Sequence, residues 1–241
     1  NPTLDKIFPN GLMLKDFDEH KHHRRILQAA FKRPAIESYI AAMSPGIAAG
    51  LGEWPRGQSF SFQEQVKSLL LNIAAGVFLG LEVEEEAGPL NRSFVHSVDA
   101  TLALVRWNIP GNRWWRGQRG RAYLEDFVRR HIATKRASEQ QDIFAQLCRM
   151  QDDDGHYLDE QAIVDHTIFL LFAAHDTTTS TLCSIIYALA RHPEWQAALR
   201  EEIRAMSGPP SLDSLGEMDT TALVFREALR MYPPLPTIPR R

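Results

Sequence analysis

Hydrophobic side chains recur at spacings of three and four residues through most of the chain, which is the period of an amphipathic helix. Runs with the alternating pattern of a strand are few, so the sequence predicts a mainly α fold. Turn-forming segments such as GEWPRGQ and DDDGHYLD separate the helical stretches. The predicted helices cover residues 18–31, 34–51, 62–79, 90–106, 117–136, 139–150, 194–206 and 220–231, together with one longer helix.

The longest predicted helix begins at Leu158 or Asp159 and runs without glycine or proline to about Arg191. At 1.5 Å per residue it is about 45 to 50 Å long, enough to cross the whole molecule. Its middle reads FAAHDTTTSTL, residues 172–182, where an acid and several hydroxylated residues interrupt an apolar run. Threonine is a mediocre helix former. Something other than helix stability therefore favours these residues.

Composition narrows the class of protein. The 241 residues are 44% hydrophobic, which is enough to build one large core or two small ones. The net charge of -3 gives no overall attraction to nucleic acid or anionic membrane. Cys148 and Cys183 form neither a CxxC motif nor a disulfide framework, which favours a reducing compartment. We expect a cytoplasmic protein cut from a longer one, and a membrane anchor upstream of Asn1 stays open.

The hydroxyl-rich stretch is the first candidate site. Ala173 and Ala174 are small enough for a flat ligand to approach the helix, and the Asp176 carboxylate could relay protons. A threonine hydroxyl that draws the carbonyl four residues back out of the helix would open a groove. Phe172 and Thr178 flank that groove. The alternatives are a helix N-cap, which a position in mid-helix disfavours, a solvated polar patch, or ordinary helix packing.

Two further pairs of residues could carry chemistry. His20 and Arg24 stand four apart in EHKHHRR, so both project from one helical face and suit a carboxylate or phosphate. A solvated helical face is the alternative, and no acidic or thiol ligand at matching spacing supports a metal site. Glu227 and Arg230 stand three apart on an amphipathic helix, which predicts an ion pair, either buried or exposed.

In combination, these motifs resemble those of the cytochrome P-450 family of haem-thiolate monooxygenases over essentially the whole chain. The family's H-x-x-x-R-R turn matches His20, Arg24 and Arg25. Its [A/G]-G-x-[D/E]-T-T motif matches residues 173–178, with Ala174 where the family usually has glycine. Its E-x-x-R helix matches Glu227 and Arg230. The P-P-x-P segment and the propionate-binding arginine that follow match Pro233, Pro234, Pro236 and Arg240.

The resemblance implies one partial domain over residues 1–241, with the family's small β part mostly missing. It implies haem b, held at its propionates by His20, Arg24 and Arg240 and lying against Ala173, Ala174 and Thr177. The family's F-x-x-G-x-x-x-C loop is absent, and neither Cys148 nor Cys183 occupies its place. The cysteine ligand of the iron is therefore expected outside this sequence, and the chain by itself is expected to be inactive.

The resemblance also implies an activity: insertion of one atom of dioxygen into an apolar substrate. The electrons would come from NAD(P)H through a ferredoxin or a flavoprotein reductase, which would dock near Lys21 and Arg25. Thr177 would hold water or the reacting oxygen, and Asp176 would deliver protons. The substrate would touch Phe172, Ala173, Ala174 and Thr178. The protein is expected to be a monomer that binds no nucleic acid.

Two other functions compete with this interpretation. Residues 106–136 contain nine Arg or Lys against two acids, with Trp107, Trp114, Trp115 and Tyr123 interleaved, a pattern that suits single-stranded nucleic acid. In the resembled fold the same segment is a lid over the substrate channel, where aromatic side chains meet substrate or a membrane surface. The other competitor is a helical binding module without catalysis, which would show no haem spectrum.

Overall fold

The computed structural model of the chain describes residues 7, 9–80, 84–151 and 155–235, without the side chains of residues 29 and 84–87. These residues contain no β-strand, and one isolated antiparallel bridge joins Gln151 and Tyr157. The predicted mainly α fold is confirmed. The α-helices are α1 Phe17–Gln28, α2 Arg33–Gly52, α3 Phe62–Leu79, α4 Glu84–Thr101, α5 Arg113–Ala137, α6 Ile143–Arg149, α7 Glu160–Arg191, α8 Pro193–Ala205, α9 Leu212–Gly216 and α10 Asp219–Met231.

Most of the predicted helix boundaries are confirmed to within a few residues, and one is wrong. A helix was expected at residues 90–106, but α4 begins at Glu84 and ends at Thr101. Gly88 and Pro89 are of residue types that favour turns, yet both lie inside the helix. The short helix α9 was not predicted. It begins with a capping box in which the Ser211 and Ser214 side chains satisfy each other's backbone N–H groups.

The central helix α7 has 32 residues and continues through the hydroxyl-rich stretch. Its first half supplies core side chains, because Ile163, Val164 and Ile168 are fully buried. The length of α7 confirms the prediction of one continuous helix, which was made from the absence of glycine and proline. None of the described helices combines the length and hydropathy needed to cross a bilayer.

The packing of Cα atoms divides the chain into two compact units. The first comprises Asn1–Tyr39 and Leu71–Ala173, and the second comprises Ile40–Leu70 and Ala174–Arg241. Helices α2, α3 and α7 contribute residues to both units. That residues 1–241 form one partial domain stays a prediction.

In the first unit, α4 and α5 pack with their backbones close together. A Cβ atom added at Gly117 would lie 2.1 Å from the Cβ atom of Ala100. One added at Gly120 would lie 2.3 Å from the carbonyl oxygen of Ser93. Both distances are far below van der Waals contact, so only glycine allows this approach. The long α5 is thereby held against α4 along its first two turns.

In the second unit, one carboxylate of α8 caps the beginning of α10. Glu202 accepts hydrogen bonds from the backbone N–H groups of Thr220 and Thr221, at 2.6 and 2.9 Å. The Thr221 hydroxyl donates a third bond at 2.6 Å. A negative charge at a helix N-terminus also interacts favourably with the helix dipole. The helix that carries Glu227 and Arg230 is thus held at its start by a neighbouring helix.

Candidate functional site

Several hydroxyl groups in the second half of the central helix bond to the backbone four residues back. Thr179 donates to the carbonyl of His175 and Thr181 donates to the carbonyl of Thr177, each at 2.9 Å. Ser184 donates to the carbonyl of Ser180 at the same distance. A carbonyl oxygen has two lone pairs, so it can accept this bond and the helical one together. The helix stays continuous through this stretch. The predicted groove stays a prediction.

Asp176 lies in the middle of this stretch and is half exposed. Its carboxylate accepts a hydrogen bond of 3.1 Å from Nδ1 of the buried His175. This hydrogen bond lowers the pKa of Asp176, with the charges of His175 and Lys67 acting in the same direction and burial opposing them. Asp176 is therefore an ionised acceptor at neutral pH. An ionised carboxylate at the surface of a helix can take up and release protons from water.

A polar cavity of about 430 Å³ borders Asp176 within the second unit. Lys67 of α3 and several hydroxylated side chains of α7 contribute to its wall, so it can hold water and small polar groups. Asp176 thus has polar surroundings on one side and a buried imidazole on the other. The lining residues are Gln63, Lys67, Asp176, Thr179, Ser180, Cys183, Ser184, Tyr187 and Tyr232.

The other predicted residues of the central helix fall into different units. Phe172 and Ala173 belong to the first unit, whereas Ala174, Thr177 and Thr178 belong to the second. Thr178 is exposed, and the other four are half-buried. Contact of these residues with substrate or cofactor stays a prediction.

His20 and Arg24 lie one turn apart on α1, as their spacing predicted. His20 is half-buried and Arg24 is exposed. Neither side chain forms a hydrogen bond or an ion pair with another residue in the described part of the chain. Their donor groups are therefore available to an external carboxylate. Arg240, the third predicted propionate ligand, and Pro236 lie outside the described residues.

Glu227 and Arg230 form the predicted ion pair on α10. The carboxylate accepts from Nε and Nη2 of the guanidinium at 2.7 and 2.6 Å. The bond from Arg230 lowers the pKa of Glu227. Burial of the pair, one of the two outcomes considered, is wrong for the described chain, because the side chains are 55% and 69% exposed. No described segment covers this face of α10, where Leu223 and Met231 are exposed as well.

Two buried polar contacts in the first unit were missed from the sequence. His166 of α7 bonds to His23 of α1, with 2.8 Å between the ring nitrogens. Arg121 of α5 donates to Asp165 of α7 at 2.6 Å, and both side chains are nearly inaccessible. The signal was present in the polar triplet DHT at residues 165–167, which interrupts an apolar stretch. No local spacing names its partners on α1 and α5.

The donor groups of α1 match the charged edge of a haem. An imidazole and a guanidinium with open donors on one face of α1 fit its two carboxylates. A thiolate ligand for iron does not exist among the described residues: burial raises the pKa of Cys148 to about 12, and burial also raises the pKa of Cys183. Nor do the described residues contain a cluster of three metal-ligating side chains. The chain therefore fits the edge of a haem, with the axial ligand expected outside this sequence.

Comparison with known proteins identifies the relatives of this chain. The family model described as cytochrome P-450 matches residues 2–241. A Mycobacterium tuberculosis protein that carries the name cytochrome P-450 136 is 37% identical over 240 residues, which cover 97% of this chain and 49% of that protein. The pentalenene oxygenase of Streptomyces avermitilis is 31% identical over 240 residues, covering 95% of this chain and 53% of that protein.

A solved structure shares the fold. The retinoic acid-bound cyanobacterial CYP120A1 superposes with a TM-score of 0.82 and 24% sequence identity, over 95% of this chain and 52% of that one. At this identity the likeness concerns the fold alone. The chain spans about half the length of the curated relatives it matches.

Proposed function

This chain belongs to the cytochrome P-450 family, and from that premise we propose that the complete protein is a haem-dependent monooxygenase of an apolar organic substrate. The match of the family model over residues 2–241 carries the proposal. Relatives named as a pentalenene oxygenase and a cyclooctat-9-en-7-ol 5-monooxygenase support it. Both names denote largely hydrocarbon substrates, so we propose a terpenoid-like molecule of medium to large size.

The haem would be haem b, and when bound it supplies the activation of dioxygen. His20 and Arg24 would bind its propionates, because their donors lie on one face of α1 without partners among the described residues. Arg240 would add a third contact. A cysteine outside this sequence would ligate the iron, since both cysteines present are held as neutral thiols. We therefore expect the chain by itself to be inactive.

Asp176 and Thr177 would handle protons for the reaction. The ionised Asp176 carboxylate borders a polar cavity, from which it can collect a proton and pass it along the helix. Thr177, its neighbour, would hold a water molecule or the reacting oxygen through its hydroxyl group. This arrangement accounts for acid and hydroxyl groups in the middle of an otherwise apolar helix.

The substrate would lie against Phe172, Ala173, Ala174 and Thr178. The methyl group of Ala174, where the family motif usually has glycine, would narrow the space beside the helix. Electrons would come from NAD(P)H through a ferredoxin or a flavoprotein reductase, and exposed Lys21 and Arg25 on α1 would attract an acidic donor. We propose a monomer that acts in the cytoplasm.

A spectrum tests the proposal. The complete protein should bind haem and, once reduced under carbon monoxide, show the red-shifted absorption of a thiolate-ligated haem. Combined Ala substitutions at His20 and Arg24 should weaken haem retention, whereas Ala at exposed Lys32 should not. A complete protein without a haem spectrum would instead be a helical binding module.

A further inference from the structure

The His23 side chain belongs to the same stretch of α1 as two of the proposed haem contacts. It follows His20 by three residues and precedes Arg24 by one. Residues 20–24 make little more than one turn of helix, since a turn takes about 3.6 residues. An interaction that holds this turn in place therefore acts on His20 and Arg24 together.

His23 is bonded to a residue of the central helix. Its Nδ1 lies 2.8 Å from Nε2 of His166, and the ring centroids are 4.8 Å apart. His166 is 1% exposed, whereas His23 is half-buried. The other ring nitrogen of His166 is buried and has no hydrogen-bond partner among the described residues. In this part of the chain the His166 ring thus makes one hydrogen bond, and losing it leaves a buried polar group unsatisfied.

The remaining ties of α1 to the core lie at its other end. Ile26 and Leu27, the buried side chains described for this helix, are in its last turn. Residues 17–19, at the beginning of the helix, are exposed. Between these two ends, the bond from His23 to His166 attaches α1 to the central helix.

Both imidazoles of the pair are neutral at neutral pH. Burial above all lowers the pKa of His23, and burial above all lowers the pKa of His166 to about 4. Cations and carboxylates around the pair act in opposite directions. These surrounding titratable groups are Lys15, Glu19, His22, Asp159 and Asp165. One neutral ring donates its N–H to the other, so the contact needs neither a charge nor a further partner.

We propose that His23 is a positioning residue for the haem: its bond to His166 fixes the turn of α1 that presents His20 and Arg24 to the propionates. This inference rests on the proposed function and deepens it, since it names a residue that controls cofactor binding without touching the cofactor. When the bond is lost, the turn moves against the central helix and the two donors lose their common direction.

The test is the rate at which the complete, haem-loaded protein transfers its haem to an excess of apomyoglobin. We expect His23→Ala to transfer haem about tenfold faster, because one hydrogen bond with a buried partner is lost. His22→Ala is the matched control, since it removes the same residue type from an exposed position of the same turn, and it should leave the rate unchanged. His23→Asn keeps a hydrogen-bonding amide where Nδ1 stood and should restore most of the retention.

Two further measurements on the complete protein separate positioning from general stability. In resonance Raman spectra, the propionate bending band should shift in His23→Ala and stay in place in His22→Ala. Hydrogen exchange in His23→Ala should quicken at the amides of residues 17–24 and not in α8, which belongs to the second unit. His166→Ala should reproduce both effects. The double substitution should add little, because the two residues act through one bond.

Two outcomes would overturn the inference while leaving the proposed function intact. The first is equal haem transfer by His23→Ala, His22→Ala and the unaltered protein. The second is faster transfer by His23→Ala together with faster exchange in α8, since His23 would then serve the stability of the whole chain. A complete protein that binds no haem would overturn the proposed function, and this inference with it.

Discussion

The imidazoles of His23 and His166 share a hydrogen bond of 2.8 Å between Nδ1 of the first and Nε2 of the second. It joins α1, which carries His20 and Arg24, to the first half of the central helix. Only one ring needs to donate, so the pair is satisfied when both rings are neutral. Two charged rings at this distance would repel each other. The contact between the two rings is therefore favourable at neutral or alkaline pH and weakened at acidic pH.

This pair predicts acid sensitivity. Burial above all, together with the charges of His23 and Lys15, lowers the pKa of His166 to about 4, and the charges of Asp165 and Asp159 oppose this shift. The unfolded chain binds a proton near pH 6.5, so stability falls as pH decreases from about 6.5 to about 4. The loss should approach about 3 kcal/mol. Denaturant titrations at several pH values measure it.

The control for acid sensitivity is Thr134→Ala, an exposed change on α5 that removes no titratable group and should leave the pH dependence unchanged. His166→Gln should flatten the curve, because glutamine does not titrate. An identical pH dependence in His166→Gln and the unaltered chain would contradict the assignment.

The buried pair of Arg121 and Asp165 should be costly to break from one side. Arg121→Leu leaves the Asp165 carboxylate buried without its charge partner, and we expect a loss of about 3 to 5 kcal/mol. Leucine at both positions should recover much of that loss, since the buried carboxylate is then gone and Glu125, which also accepts a hydrogen bond from Arg121, is one-third exposed to water. Arg130→Leu, which removes an exposed pair with Asp126, should cost less than about 1 kcal/mol. Equal losses for the buried and exposed pairs would refute this account.

The close approach of α4 and α5 predicts opposite effects for two Gly→Ala changes. Gly117→Ala forces a methyl group against Ala100 and should destabilise the chain by about 1 to 3 kcal/mol or more. Gly76→Ala lies in α3, where an added Cβ meets nothing within 4 Å. It should be neutral or stabilise by up to about 1 kcal/mol through helix propensity. Thermal unfolding of both variants measures these effects, and similar shifts in Tm for Gly117→Ala and Gly76→Ala would contradict the prediction.

His175 should position the Asp176 carboxylate. His175→Ala removes the donor and should raise the Asp176 pKa, whereas His175→Asn places an amide donor near the former Nδ1 position and should restore it. Carbon-13 NMR of side-chain carboxyl groups follows the titration, with Asp176→Asn identifying the signal. An unchanged Asp176 pKa in His175→Ala would show that another contact is responsible.

From the proposed function we expect Thr177→Ala in the complete protein to divert electrons from product to hydrogen peroxide, because the hydroxyl would no longer be there to hold water or reacting oxygen. Asp176→Asn should slow turnover by about a hundredfold or more, within the usual range for the loss of a group that takes up and passes on protons. Peroxide and product per NAD(P)H consumed are the measurements. Thr134→Ala, an exposed threonine on α5, is the control. Undiminished coupling in Thr177→Ala would remove that residue from the proposed mechanism.

Local sequence patterns were sufficient to predict features that depend on a single helix. The apolar period and the absence of glycine and proline predicted α7, and spacing alone placed His20 beside Arg24 and Glu227 beside Arg230. The start of α4 was missed because Gly88 and Pro89 are local turn signals, and packing against α5 outweighs them. The partners of Asp165 and His166 stand 44 and 143 residues away in sequence. No period or spacing reveals a contact over such separations.

The cap that Glu202 provides links the local unfolding of α8 to that of α10, and it also links the order in which they fold. Three donors at the beginning of α10 depend on one carboxylate of α8, so a fluctuation that melts the end of α8 also exposes the first amides of α10. We therefore expect the hydrogen exchange of these two segments to be correlated. During synthesis, α10 gains its N-terminal anchor only from a helix the ribosome has already released, which gives the two helices an order of assembly.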